Sequence, residues 1–180
     1  MLISYNDLLP LLSMGVVLGS KPEHINSASI DICLGPKILV EGNTSTDKPV
    51  RLNKKGALHT SEFDITNRSY YLRPGYFILA QSLEIFNLPD HISAEYKLKS
   101  SMARIGLEHL NAGWCDAGWN GSCLTLELKN MTRYHTIELN YGDKIGQMVF
   151  FQHSRVPEDK SYAVRGSYNG DATVQGVKVK

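Results

Sequence analysis

With 180 residues, 42% of them hydrophobic and 21% charged, the chain has the size and composition of one globular domain, 1–180, able to bury its own core. Its 19 basic and 18 acidic side chains leave a formal net charge of +1, which removes the global field that would draw it onto nucleic acid or an anionic membrane. No apolar run approaches the ~20 residues of a membrane-spanning helix, so a cytoplasmic protein with neither nucleic-acid nor membrane partners is expected.

The first expected element is an amphipathic helix in "MLISYNDLLPLLSMG". Ser4 and Asp7 form a capping pair, Leu8, Leu9, Leu11 and Leu12 the buried stripe, and Gly15 the end. Without a basic leader, and with Asn6 and Asp7 inside it, this segment reads as part of the domain rather than as a signal peptide. Short alternating runs follow. "ASIDICLG" (28–35) sets Ile30, Ile32 and Leu34 against Ser29, Asp31 and Cys33. The stretch 40–66 is polar and irregular and reads as a surface excursion. Residues 70–89 read as two strands around Pro74-Gly75, closed by Pro89. "SSMARIGL" (100–107) is the internal helix candidate, with Ser100 or Ser101 as its cap and Gly106 as its end. "CLTLELKN" (123–130), residues 135–154 and "ATVQGVKVK" (172–180) complete the strands. So many short strands between turn residues argue for an all-β barrel or sandwich. Cys33, Cys115 and Cys123 are odd in number and widely spaced, which argues against a disulfide framework.

Three features between residues 100 and 127 carry chemistry. Asp116-Ala-Gly-Trp-Asn-Gly121 makes a tight hairpin whose Trp119 offers a flat face to a sugar or base and whose Asp116 accepts from a hydroxyl; a turn with a buried tryptophan would look the same. Glu127 lies between Leu126 and Leu128, so it shares the opposite strand face with Thr125 and Lys129, as a solvent-facing glutamate also would. Ser100, Ser101 and Arg104 could gather hydroxyls and a guanidinium around a phosphate or a water, or simply cap a surface helix.

The order of these features resembles the dCTP deaminase and dUTPase superfamily, and more closely its deaminase branch. The resemblance rests on "INSASIDICLG", "YYLRPGYFILAQSLEIFNLP", "LKSSMARIGL", "HLNAGWCDAGWNG", "LTLELKN" and "KIGQMVF", and spans roughly residues 3–154. It implies a mainly β subunit, a distorted, jelly-roll-like barrel of dUTPase type with a few short helices. It also implies a homotrimer with active sites between subunits, the serine–arginine helix reaching across the interface. The implied reaction is hydrolytic removal of the 4-amino group of dCTP to give dUTP, a supply for thymidylate synthesis. Glu127 takes the place of the family's catalytic glutamate, and Ser100 and Arg104 would hold the attacking water and steady charge beside it. Substrate binding would fall to Lys99, Ser101, Asn111, Ala112, Asp116, Trp119, Gln147 and Tyr168, with Asp116 on the 3′-hydroxyl and Trp119 against the sugar. Mg²⁺ would arrive with the triphosphate, leaving the protein itself without metal ligands. No zinc is expected, because the zinc deaminases carry H-x-E and P-C-x-x-C, and here no histidine is followed by Glu two positions on and no C-x-x-C occurs.

Departures from the family pattern set further expectations. Lys99 stands for an arginine, Asn111 for a threonine and Ala117 for a proline. Asp116 and Glu127 are eleven apart, one more than the family's ten, which calls for a bulge near Ser122 and Cys123. The tail, about 160–180, would be flexible and close over the triphosphate. Its "SYNGD" (167–171) keeps Tyr168 but has Asp171 for a glutamine, with Arg165, Lys178 or Lys180 to compensate. The alternatives are a dUTPase in which Asp116 activates water, a bifunctional deaminase forming dUMP, and a non-catalytic nucleotide-binding regulator.

Overall fold

Apolar alternation in the long strands builds the body of the molecule, and its frame is mostly β. The computed structural model describes residues 1–42, 50 and 58–178. The chain runs α1 (Tyr5–Ser13), β1 (Val17–Leu18), β2 (Ile30–Glu41), β3 (Thr60–Asp64), β4 (Tyr70–Leu72), β5 (Phe77–Asn87) and β6 (Ile92–Leu98). It continues with α2 (Ser100–Arg104), β7 (Leu107–His109), β8 (Trp114–Cys115), β9 (Asn120–Asn130), β10 (Ile137–Leu139), β11 (Lys144–Gln152) and α3 (Tyr162–Arg165). Nine strands share one antiparallel sheet, ordered β7-β9-β5-β2-β11-β6-β8, with β1 added on β5 and β3 on β2. The long β2 is its spine: Ile30–Cys33 pair with β11, and Leu34–Val40 pair with β5 after a register shift. That shift lets the sheet curl around a core of Ile32, Leu34, Ile78, Phe86, Leu126 and Phe150. At ~25 cal/mol per Å² of apolar area, burying each such side chain contributes about 1.5–3 kcal/mol.

Several expectations are corrected here. The first half of β2 is buried on both faces, Asp31 and Cys33 as well as Ile30 and Ile32. The two strands expected around Pro74-Gly75 are present as β4 and β5, and β4 pairs with β10. Residues 172–178 form no strand; Val174 is anchored by its N–H to Gln81 Oε1 at 3.1 Å. The excursion 40–66 contains β3, and 43–49 and 51–57 lie outside the described residues. In α1 the N-cap is Ser4, but its side chain makes no capping bond, and Leu8 and Leu11 are the buried residues. Lys99, not a serine, caps α2, whose end at Ile105 is followed by Gly106 at φ 86.

Candidate active site

β9 alternates as its leucines require. Leu124, Leu126 and Leu128 point into the core, so Thr125 and Glu127 face the other way, onto a cavity of about 390 Å³. Ala112, Asp116, Trp119 and Tyr168 line the same cavity. Five of the residues singled out in the sequence therefore meet in one place.

The neighbour of Glu127 is a residue that the sequence reading passed over. β7 pairs with β9 so that His109 sits opposite Leu128, and its Nε2 lies 3.3 Å from Glu127 Oε2. Neither atom has a hydrogen-bond partner elsewhere, and both are shut off from solvent. The His109 ring is itself fixed, 4.7 Å from the ring of buried Tyr96. One carboxylate oxygen is thus held from behind. The residue remains partly exposed, with 26% of its side chain reachable.

The hairpin after β8 carries Asp116. Gly118 sits at φ 88, and a Cβ there would lie 2.0 Å from Ser161 Oγ, so only glycine lets α3 pack this closely against the turn. Tyr162 N–H donates to Ala117 O at 3.0 Å across that contact. Asp116 is exposed and its Oδ1 accepts from Trp114 Nε1 at 2.8 Å. Trp119 stacks on Phe86, centroids 5.4 Å apart and planes 18° apart, and its indole N–H donates to Tyr168 O at 2.9 Å. A bulge lies between Asp116 and Glu127, one residue before the expected Ser122 and Cys123: Phe86 pairs with Ser122 and Asn87 with Asn120, leaving Gly121 (φ 64) unpaired. Asn111 takes a left-handed backbone, φ 60, a conformation asparagine tolerates, and turns the chain just before Ala112.

The tail lies against this wall. Asp171 O accepts from Cys123 N–H at 2.9 Å, and Ser122 Oγ donates to Tyr168 O at 2.8 Å. Lys178 Nζ reaches both Asp171 oxygens, at 2.8 and 2.6 Å, and Ser167 O at 2.9 Å. The aspartate that replaces the family's glutamine is therefore neutralised within the tail. Burial pushes the Cys115 and Cys123 thiols up to about 12, so both stay protonated beside the cavity.

The other predicted residues lie elsewhere. Ser100, Ser101 and Arg104 are exposed on α2, outside the cavity lining. Lys99 Nζ binds Asp31 Oδ1 at 2.5 Å, and Gln147 Oε1 accepts at 3.0 Å from Oγ of Ser29, the residue before β2. Burial alone would raise the Asp31 carboxyl, but bonds from Lys99, Asn26 and Lys144 outweigh it and hold the group below its ordinary range. Within one chain the named residues thus form two groups, one around Glu127 and one around Lys99, Gln147 and α2. Among the described residues, potential metal ligands cluster at His24, Cys33 and Glu84, none of which lines the cavity.

The architecture belongs to the dUTPase-like class. The chain superposes on 2′-deoxycytidine 5′-triphosphate deaminase from Agrobacterium tumefaciens with a TM-score of 0.64 and 23% identity, covering 83% of this chain and 47% of that one. On a dUTPase from Streptococcus mutans the TM-score is 0.50, with 17% identity over 77% of this chain and 88% of that one. A family profile described as dCTP deaminase-like matches residues 13–153. A Methanospirillum hungatei protein named "dCTP deaminase, dUMP-forming" is 39% identical over 74% of this chain and 71% of its own length. Proteins of the same name from Aquifex aeolicus and Bifidobacterium longum are 37% and 35% identical, over 86% and 93% of this chain and 80% and 86% of theirs. The chain belongs to the dCTP deaminase-like family.

Proposed function

We propose that this protein hydrolytically deaminates dCTP, with Glu127 as the group that moves the protons. The observation that carries the reading is the carboxylate on the cavity wall, one oxygen backed by His109 and the other left for a water, with Asp116 in the same cavity. Glu127 takes a proton from water as its oxygen adds to C4 of the cytosine. It passes that proton to N3, then carries the proton of the added hydroxyl to the exocyclic nitrogen; the C4–N bond breaks, ammonia leaves and C4 keeps its oxygen as a carbonyl. Ser100 and Arg104 orient the water, Asp116 accepts from the 3′-hydroxyl, and Trp119 walls the sugar side. Ala112 and Asn111 orient water and base, while Lys99, Ser101, Gln147 and Tyr168 hold the phosphates, which bring Mg²⁺ with them. The deamination itself uses no zinc. Because Lys99, Gln147 and α2 stand apart from Glu127 in one chain, the site is completed by neighbouring copies in a homotrimer. A cytoplasmic enzyme is the reading that fits nucleotide metabolism; among the described residues no helix is long and apolar enough to cross a membrane.

The product is dUTP or, in a second reading, dUMP. The names of the relatives at 35–39% identity favour the second, in which diphosphate follows ammonia. Incubation with dCTP, dCMP and dUTP, following ammonia and pyrophosphate separately, tests both. Ammonia from dCTP supports the proposal, and pyrophosphate from dUTP without ammonia from any cytosine nucleotide overturns it. Light scattering at working concentration should report a trimer; a fully active monomer contradicts the shared site.

A further inference from the structure

Glu84 is the least explicable carboxylate in the molecule. It is completely buried in β5, within a distortion where three residues, Ser82 to Glu84, stand opposite the single Leu124 of β9. Ser82 repairs the ladder there, its hydroxyl accepting from Leu124 N–H and donating to Glu84 O, both at 2.8 Å. The carboxylate is turned toward β2, where Cys33 N–H reaches its oxygens at 3.2 and 3.1 Å. Among the described residues no lysine or arginine pairs with it. A buried carboxylate with only a backbone donor costs several kcal/mol to ionise, and burial pushes Glu84 up to about 7.

Two further donors converge on it. Cys33 is a free, buried thiol, and His24, on the 3-10 turn Pro22–His24, presents a buried Nδ1 that has no hydrogen-bond partner. The His24 nitrogen, the Cys33 sulfur and a Glu84 oxygen all lie within 4.8 Å of one another. Ser20, whose hydroxyl is also buried and unpartnered, follows Gly19, which rests against the Glu84 backbone. Lys144, Glu23, Asp31 and Lys21 are the charged groups that act on His24, Lys144 and Asp31 act on Cys33 as well, and these two bind each other at 3.2 Å.

We propose that His24, Cys33 and Glu84 form a binding site for a borderline-soft divalent cation of the zinc class, clamping the 3-10 turn to β2 and β5. The donor set of one imidazole, one thiolate and one carboxylate suits zinc or cobalt(II) and is poor for magnesium. Tetrahedral zinc with bonds of about 2.0–2.3 Å holds its ligands about 3.4–3.7 Å apart, so small side-chain rotations close the site and leave a fourth position for water. The cation supplies the positive charge that buried Glu84 lacks. Binding displaces the Cys33 proton, which burial otherwise holds at about 11, and a proton from whatever fraction of Glu84 is protonated. Burial and Lys144 lower His24, which keeps its imidazole neutral, the form that ligates. The site is separate from Glu127: five residues of β5, about 16 Å at ~3.3 Å per residue, divide Glu84 from Leu79, the partner of Glu127.

The test uses the full chain stripped with a chelator and titrated with cobalt(II), then with zinc against a chromophoric competitor. One ion per chain is expected, with thiolate-to-cobalt charge-transfer absorption in the near ultraviolet, a raised melting temperature and no competition from a large excess of magnesium. Cys33→Ser should abolish the charge-transfer band. His24→Ala, at a half-buried turn position where the fold is not at risk, should weaken binding at least tenfold, and Glu84→Gln should do the same. No stoichiometric binding by the native chain, or a charge-transfer band that survives Cys33→Ser, or affinity unchanged in His24→Ala, overturns the proposal.

Discussion

Glu127 Oε2 and His109 Nε2 face each other at 3.3 Å across β9 and β7, and neither has another partner. The pair gives the carboxylate a fixed back and a free front. A histidine that only filled space would tolerate an apolar substitute, whereas one that positions Glu127 would not. His109→Leu is therefore expected to lower kcat for dCTP by roughly 10²-fold, the cost of a mis-set catalytic group, with KM nearly unchanged. His109→Gln, which restores a nitrogen near the same place, should recover most of the loss. A rise in KM alone, or equal rates for the two variants, would show that the contact is merely structural.

The buried thiols should be silent. Burial holds Cys115 and Cys123 at about 12 and Cys33 at about 11, so at pH 8 the thiolate fractions are very small. All three should resist iodoacetamide in the folded protein and react fully in denaturant, as read by intact mass. Rapid alkylation of the native chain would contradict this burial.

Lys178 and Asp171 act on each other before they act on any ligand. Lys178→Met should raise KM for dCTP by roughly fivefold, about 1 kcal/mol, because it leaves the Asp171 carboxylate facing the cavity. Adding Asp171→Asn should cancel most of that effect. Steady-state kinetics on the two single variants and the double variant measure the coupling, and additive effects would remove it.

Trp119 has two jobs that separate by substitution. Trp119→Ala removes the stack on Phe86 and should cost about 3–5 kcal/mol of stability. Trp119→Phe keeps a ring there and loses chiefly the N–H bond to Tyr168 O, about 1 kcal/mol, so the fold should hold while the tail loosens. Hydrogen exchange across residues 166–178 should accelerate in Trp119→Phe with the melting temperature little changed.

Much of this was legible in the order of residues. The alternation of Leu124, Leu126 and Leu128 alone turned Glu127 to the other face, and the eleven-residue spacing from Asp116 called for a bulge one residue away from Gly121, which supplies it. What failed to show were features that depend on neighbours distant in sequence. A period-two pattern in β2 suggested one polar face, yet Asp31 and Cys33 are as buried as Ile30 and Ile32. Ile92, Ala94, Tyr96 and Leu98 follow the same period, but Ser93, Glu95 and Lys97 and the adjoining turn residues masked β6. β7 has three residues, too few for any period, so His109 read as an ordinary histidine beside leucines and only its pairing with β9 brings it to Glu127. Val174 and Val177 suggested a final strand, but the tail hydrogen-bonds to side chains and single carbonyls instead of a ladder. Ser100, Arg104 and Lys99 stand outside the Glu127 cavity within one chain, a placement that no local pattern encodes.

The most direct test of the central claim is ammonia release from dCTP by Glu127→Gln, paired with nucleotide binding by the same protein. The substitution keeps the shape of the side chain and its place beside His109 but removes the base. Ammonia release should fall by roughly 10²–10⁴-fold while dCTP still binds with nearly native affinity. Deamination by Glu127→Gln at close to the native rate would show that the proton moves elsewhere and would contradict the account.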